Sequence, residues 1–517
     1  MTSPSMARVR IEFGDFQTPA LLARAVCQRL WDDGIRPRTI VEPACGVGRL
    51  LGAAVRRFPG ARQLLGLDIN GDHVREAARE TSSLSQSVRA EFVQGDFFAT
   101  DWRRRLSALA EPILVIGNPP WVTNSALAVL GGNNRPARRR QPGLRGVDAL
   151  TGKSNFDISE SMLATLLAAL DGHEADLAML CKTRVARATL RRAWENAWQL
   201  ETASLFRIDA SRHFGAAVDA GLLVCRLRPG QACRECAVYQ NLGDPQPAGW
   251  MGYADGRLVG DVRSYGRWRH LAGAASERWR SGIKHDCARV MEVCYEDGVW
   301  RNGLGERVDV EQDCLFPLLK GSRLARGVVE PDRWLVVPQR SVGQDTEQLR
   351  HSAPKTWDYL QAHSDLLGRR ASSIYRRRPP FSIFGVGDYT FARCKIAIAG
   401  FARQLKFFPV GCHEGKPIVL DDTSYFLPCE SESQADERLE LLRSRPAQEY
   451  YASLIFWDAK RPITAEILQG LDLGRLRGAE WPEGLPESQE GDLRSVVSAG
   501  SETRAERGGT LEGTHGS

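Results

Sequence analysis

Between about Arg38 and Leu227 the chain alternates short apolar runs with amphipathic stretches, and this alternation leaves few architectures open. The apolar runs are Thr39–Val41, Gln63–Leu67, Ala90–Val93, Pro112–Ile116, Asp176–Leu180 and Ala220–Leu227. Helical periodicity fills the intervals over Arg49–Phe58, Gly71–Thr81, Ile158–Leu170 and Arg184–Gln199. Strands that alternate with helices predict an α/β domain, a parallel sheet with helices on both faces. Asp157 stands where the N-cap of the helix at Ile158 belongs, and Glu160 three residues on can close a capping box.

The chain has 517 residues, too many for one ordinary domain at roughly 150 residues each. Past Cys233 the texture changes to shorter segments richer in Gly, Pro, Trp and Tyr. The division expected is 1–235 for the α/β domain, 236–478 for a second, mixed α+β domain, and 479–517 for a tail. The tail is rich in Glu, Gly, Ser, Thr and Arg and cannot bury enough apolar surface to order itself, so it is expected to be disordered. No apolar run approaches the length of a membrane helix, and Met1–Glu12 has no apolar core of a secretory signal. The expected setting is cytoplasmic, without a membrane partner. Cys233 and Cys236 have zinc-ligand spacing but lack a second ligand pair, so no metal is expected. A net charge of +6 permits a nucleic-acid partner without requiring one.

Four short motifs carry chemistry. Glu42-Pro43-Ala44-Cys45-Gly46-Val47-Gly48 follows the first strand, and two glycines in a strand-to-helix turn let the backbone approach a ligand. Asp68, twenty residues after Gly48, is placed to take both hydroxyls of a ribose. Asp96, before Phe97, can accept a hydrogen bond from an adenine amino group. Asn118-Pro119-Pro120-Trp121 follows an apolar strand. There the Asn118 side-chain oxygen and the Pro119 carbonyl can accept both hydrogens of a planar amine, and Trp121 offers a flat surface for a base. An exocyclic aromatic amine is a poor nucleophile, and two acceptors stabilise the charge that develops on it.

In this order the motifs resemble the amino-group DNA methyltransferases, in particular the gamma-class, TaqI-like N6-adenine enzymes of restriction-modification or phage defence. Phe16-Gln17-Thr18-Pro19 stands where that family carries an N-terminal cofactor segment, and Phe214 where it places a second aromatic against the flipped base. The likeness covers the first 230 or so residues. Glu42, where Asp is more usual, and the insert Val122–Lys153 depart from the pattern. The resemblance implies a Rossmann-like domain that transfers a methyl group from S-adenosyl-L-methionine to adenine N6 in double-stranded DNA. It implies that Thr18, Pro19, Glu42, Ala44, Gly46, Gly48, Asp68, Ile69, Asp96 and Phe97 bind the cofactor. Asn118, Pro119, Pro120, Trp121 and Phe214 would hold the base, and the second domain would choose the DNA site.

Two arginine clusters are candidate DNA contacts. One is Arg138, Arg139 and Arg140 in the insert; the other is Arg376, Arg377 and Arg378, followed by Tyr389. The cofactor segment starts within twenty residues of Met1, and Asp458-Ala459-Lys460 is the only nuclease-like fragment, so any restriction endonuclease or defence subunit is expected as a separate chain. Methylation of an RNA base or a protein glutamine, or a non-catalytic DNA-binding subunit, are the competing readings. The size of the second domain counts against the glutamine reading, and the intact Asn118–Trp121 motif against the non-catalytic one.

Overall fold

The computed structural model describes residues 17–82, 88–121, 157–273 and 277–478. Phe16, the Arg138–Arg140 cluster and the expected tail lie outside them.

The first domain runs α1 (Ala20–Asp32), β1 (Thr39–Glu42), α2 (Arg49–Arg57), β2 (Gln63–Asp68), α3 (Gly71–Ser82), β3 (Arg89–Gln94), α4 (Trp102–Ser107), β4 (Ile113–Gly117), α5 (Ile158–Leu170), β5 (Ala175–Lys182), α6 (Thr183–Glu195), β6 (Leu200–Ile208), α7 (Ala210–Phe214) and β7 (Ala220–Leu227). The strands lie side by side as β3-β2-β1-β4-β5-β7-β6. From β3 to β5 every pairing is parallel. β7 departs from the expected parallel sheet and runs antiparallel to both β5 and β6. The link from β6, residues 209–219, is too short for a parallel crossover, which needs a dozen or more residues.

Sequence periodicity missed β6. Its inward and outward positions do not alternate cleanly, and a register shift lies between Leu200 and Thr202. α6 stops at Glu195, before the predicted Gln199, and the turn that follows holds Ala197 at φ 53. Asp157 caps α5 as expected, but its carboxylate takes the Ser159 N–H and hydroxyl rather than a Glu160 partner.

β1 and β4 are buried along their whole length, and β5 along all but its last residue, which suits strands covered on both faces. Alternate residues feed two cores. Val41, Ile113, Val115 and Met179 pack with Leu163, Leu167 and Leu190 from α5 and α6. Ile40, Leu64, Leu114 and Leu180 pack with Leu22, Val26, Leu51 and Ala54 from α1 and α2. The sheet does not stop at residue 235. β8 (Glu235–Tyr239) adds parallel to β6, and β9 (Gly249–Ala254) and β10 (Arg257–Val259) extend it antiparallel to ten strands.

The remainder holds two larger sheets and a two-stranded one, Cys412–His413 with Lys416–Pro417. Of the larger two, one orders Val299–Asn302, Glu292–Glu296, Arg333–Val336, Leu315–Leu319 and Val419–Leu420; the other orders Arg280–Ser281, Ser424–Cys429, Cys394–Ala399 and Phe408–Val410. Two helices, Glu432–Arg443 and Arg445–Leu454, cover the second through Leu439, Leu442, Tyr450 and Tyr451.

The first domain is fastened to the second of these helices and to the segment after it. Ser453 O accepts the Gly260 and Asp261 N–H groups at 2.7 and 3.0 Å, just beyond β10. Asp458 accepts from Arg187 Nη1 at 2.6 and 2.9 Å and from the Thr183 hydroxyl at 2.6 Å, both in α6. Burial pushes the Asp458 carboxyl up, but Arg187 and Thr183 outweigh it and hold it below the usual range. The side chain is 4% exposed and that of Arg187 12%. Removing one partner of such a pair strands the other charge. Asp458→Ala should therefore lower stability in urea unfolding by about 2–4 kcal/mol, and Asp458→Leu with Arg187→Met should recover more than half of that loss.

Candidate active site at the carboxyl edge of the sheet

The turn after β1 is closed by backbone geometry. The Cys45 N–H donates to Leu67 O on β2 at 2.9 Å, and Gly46 and Gly48 take φ of 49° and 80°, in the left-handed region. Both positions are also crowded by the protein itself. A Cβ on Gly46 would lie 2.7 Å from the Gln17 amide, and one on Gly48 would lie 2.8 Å from Ala77 of α3. Conformation requires glycine at both positions, and at Gly48 the packing of Ala77 requires it as well.

Acidic side chains brace this turn from two sides. Asp68 Oδ2 accepts the Gly46 N–H at 2.8 Å, and Oδ1 accepts the Asn70 N–H at 2.8 Å, tying the end of β2 to the turn. His73 Nδ1 approaches the same carboxylate at 3.6 Å. Glu42 lies beneath the turn, 3% exposed, and accepts the Leu51 N–H in the first turn of α2 at 3.2 Å. Burial pushes its carboxyl well above the usual range against that hydrogen bond, and nearby Asp68 adds to the rise. Thr18 is buried, and Pro19 opens α1. Gln17, which the candidate residues omitted, accepts the Val47 N–H at 3.4 Å and so joins the N-terminal segment to the turn.

Ala44 is half-buried against the core, and Ile69, directly after Asp68, is 48% exposed. Asp96 accepts the Phe98 N–H at 2.9 Å and caps a single helical turn, Phe97–Ala99. Phe97 turns into the core against Trp102, whose indole N–H donates to the Phe97 carbonyl. The exposed ring is its neighbour Phe98, at 36%. Exposed apolar side chains beside Asp68 and Asp96, above a glycine turn, fit the adenine and ribose of a nucleoside cofactor.

Asn118-Pro119-Pro120-Trp121 leaves the end of β4 next to this turn, because β4 pairs with β1. Asn118 is half-buried and Pro119 buried. Trp121 is buried, and its indole N–H donates to Leu180 O on β5 at 3.3 Å. Phe214, the last residue of α7, meets Trp121 edge to face with centroids 5.0 Å apart. Asp209 caps α7 through the Arg212 N–H, and Gly215 at φ 66° ends it. Beside α7 a cavity of about 330 Å³ is lined by Thr183, Arg207, Asp209, Ser211, Val218 and Asp219, among others. The fold thus gathers the cofactor candidates and the five base-binding candidates along one edge of the sheet.

Arg376, Arg377 and Arg378 are exposed on a loop of the second domain, with Arg377 at φ 59°. Arg370 holds this loop through the Leu367, His285 and Ser382 carbonyls and stacks 3.7 Å above Tyr375. Tyr389 is half-buried between Phe426 and the Arg280 guanidinium. Asp458 is tied into the domain junction described above.

Strand order and site together define the Rossmann-like domain of an S-adenosyl-L-methionine-dependent methyltransferase. The Type II methyltransferase M.NspV of Nostoc sp. (strain ATCC 29411 / PCC 7524) is 41% identical over 471 residues, spanning 91% of this chain and 98% of its own length. The chain belongs to the Type II methyltransferases, DNA methyltransferases of the restriction-modification type. No family model matches it. Among solved structures it resembles the Type IIL restriction-modification enzyme MmeI in complex with DNA, with a TM-score of 0.49 and 13% identity over 96% of this chain and 76% of that one. It also resembles the type I restriction-modification methyltransferase subunit from Streptococcus thermophilus, with a TM-score of 0.31 and 13% identity over 43% of this chain and 47% of that one. Among the described residues no helix is long and apolar enough to cross a membrane.

The buried Glu42 makes stability depend on pH. Its folded carboxyl titrates above the ordinary value of 4.5, so the native chain keeps a proton that the unfolded chain releases. The stability this contributes is complete below about pH 4.5 and is lost as pH rises toward the folded value, by up to about 1.4 kcal/mol per pH unit. Glu42→Gln keeps the acceptor for Leu51 without the titration. In a denaturation series run upward from pH 5 the variant should gain on the wild type as pH rises; a difference independent of pH would contradict the account.

Proposed function

We propose that this chain transfers the methyl group of S-adenosyl-L-methionine to the N6 amino group of adenine at a specific site in double-stranded DNA. The observation that carries the reading is the assembly of Asn118, Pro119, Trp121 and Phe214 beside the glycine turn of β1, with Trp121 and Phe214 in ring contact at 5.0 Å. The cofactor supplies an electrophilic methyl group. The chain's own contribution is placement and charge stabilisation.

The Asn118 side-chain oxygen and the Pro119 carbonyl accept hydrogen bonds from the amine and draw its lone pair out of the ring. The methylated nitrogen then releases a proton to solvent. Asp68, Ile69, Asp96 and Phe98 line the cofactor side, with Asp68 and Asp96 as acceptors for ribose hydroxyls and the adenine amine. Glu42, Gly46, Gly48 and Thr18 keep the turn in shape. A base reaches the site only by leaving the duplex, at a cost of a few kcal/mol. Since Trp121 and Phe214 already touch, its entry must displace the half-buried Phe214. Arg376, Arg377 and Arg378 are placed to bind phosphates, and the second domain to read the site. A separately encoded restriction endonuclease would complete such a system.

The test is expression in a methylation-free host followed by long-read mapping of modified bases. A single N6-methyladenine motif is expected; N4-methylcytosine, or an unmodified genome with intact cofactor binding, would overturn the reading. Asn118→Ala should abolish methylation while leaving cofactor affinity within about threefold, and loss of cofactor binding in that variant would refute the division of roles.

A further inference from the structure

We infer that Lys182 is a positioning residue for the methyl-transfer motif. The two prolines of Asn118-Pro119-Pro120-Trp121 have no N–H to donate, so the segment cannot be pinned through the sheet's hydrogen-bond ladder at those positions. Two hydrogen bonds from β5 restrain it at Trp121. The Trp121 indole N–H donates to Leu180 O, and the Trp121 carbonyl accepts from Lys182 Nζ at 2.9 Å. β5 thus grips Trp121 at the ring and at the backbone with residues two apart on one strand.

The same ammonium donates to Asp157 Oδ2 at 2.7 Å. Asp157 is fully buried, and its other oxygen takes the Ser159 N–H and hydroxyl at the start of α5. The Lys182 side chain is 20% exposed. Ion pairing to a buried carboxylate fixes the ammonium in place, and the Trp121 carbonyl then meets a charged donor of set position. Lysine suits the task because its three donors spread tetrahedrally from one point and can serve two acceptors on different elements; a guanidinium is planar. Thr183, the next residue, is held by its N–H to Asp219 O at 3.0 Å and by its hydroxyl to Asp458. The turn that carries Lys182 is therefore fixed from the second domain as well.

Lys182 touches the motif's backbone at Trp121, so its loss should shift the amine acceptors while leaving the cofactor turn of β1 intact. Methyl transfer is sensitive to displacement on the ångström scale. In Lys182→Met, tritiated-methyl transfer to genomic DNA of a methylation-free host should show kcat lowered roughly 10- to 100-fold per cofactor-binding site. The Kd for S-adenosyl-L-methionine by calorimetry should stay within about threefold. Lys182→Arg keeps the charge but cannot set both bonds together, and its kcat should fall between the two. A kcat per binding site within twofold of wild type in Lys182→Met overturns the assignment, as does a fall matched by loss of cofactor affinity. Should Lys182→Met not fold, wild-type kcat in Lys182→Arg overturns it.

The inference rests on methyl transfer at Asn118–Trp121, but labelling does not depend on which base is modified. Absence of label with the wild type, or its persistence in Asn118→Ala, sinks the methylation reading itself. Label lost in Asn118→Ala but kept in Lys182→Met sinks the role of Lys182 alone.

Discussion

The parallel ladder from β3 to β5 is the constraint on which the site depends. Parallel neighbours joined by right-handed crossovers must all end at the same edge of the sheet. Residues 46, 68, 96 and 118, spread over more than seventy positions, are collected there because β1, β2, β3 and β4 run side by side in one direction. A ligand in the crevice beyond the strand ends meets all four at once. The hydrogen bond from Gly46 to Asp68 follows from the same register, which sets the turn after β1 beside the end of β2.

Around that edge polar side chains hold the main chain in place. Backbone turns rich in glycine and proline make few bonds of their own, and acidic side chains or an ammonium complete them: Asp68 for Gly46, Glu42 for Leu51, Lys182 for Trp121. Each of these side chains sits at the end of a strand, where the ladder stops and the main chain must be held by something else. The domain junction obeys the same rule. Thr183 and Arg187, at the start of α6, share Asp458, so the element that follows β5 is bonded to the second domain. The candidate site and the second domain are thereby linked through one short turn.

Much of this was legible beforehand. The apolar runs located five of the seven strands of the first domain within two residues at either end and β7 at both its ends; β1, β4 and β5 were legible because strands covered on both faces are nearly all apolar. Candidate residues were legible where the residue type is itself distinctive, as for Asn118, the two prolines after it and the glycines of the β1 turn. β6 was not, since it opens with Leu-Glu-Thr-Ala-Ser and carries a register shift. Neither was the choice between Phe97 and Phe98, because adjacent aromatics read alike in sequence and only packing against Trp102 decides which turns inward.

The sequence alone determined six of the seven strands of the first domain and four of the helices between them, the position of the turn that would cradle a nucleoside, and the presence of two candidate amine acceptors after an apolar strand. These are local properties, set by periodicity and by the conformational limits of glycine and proline. Only the tertiary structure decided that β7 reverses between β5 and β6, that β8 to β10 extend the sheet, and that Val419–Leu420 pairs with Leu315–Leu319 from a hundred residues upstream. It alone brought Lys182 to Trp121 and Asp157. Such partners are selected by the packing of the whole chain, and nothing in a residue's near neighbours records which distant surface it will meet.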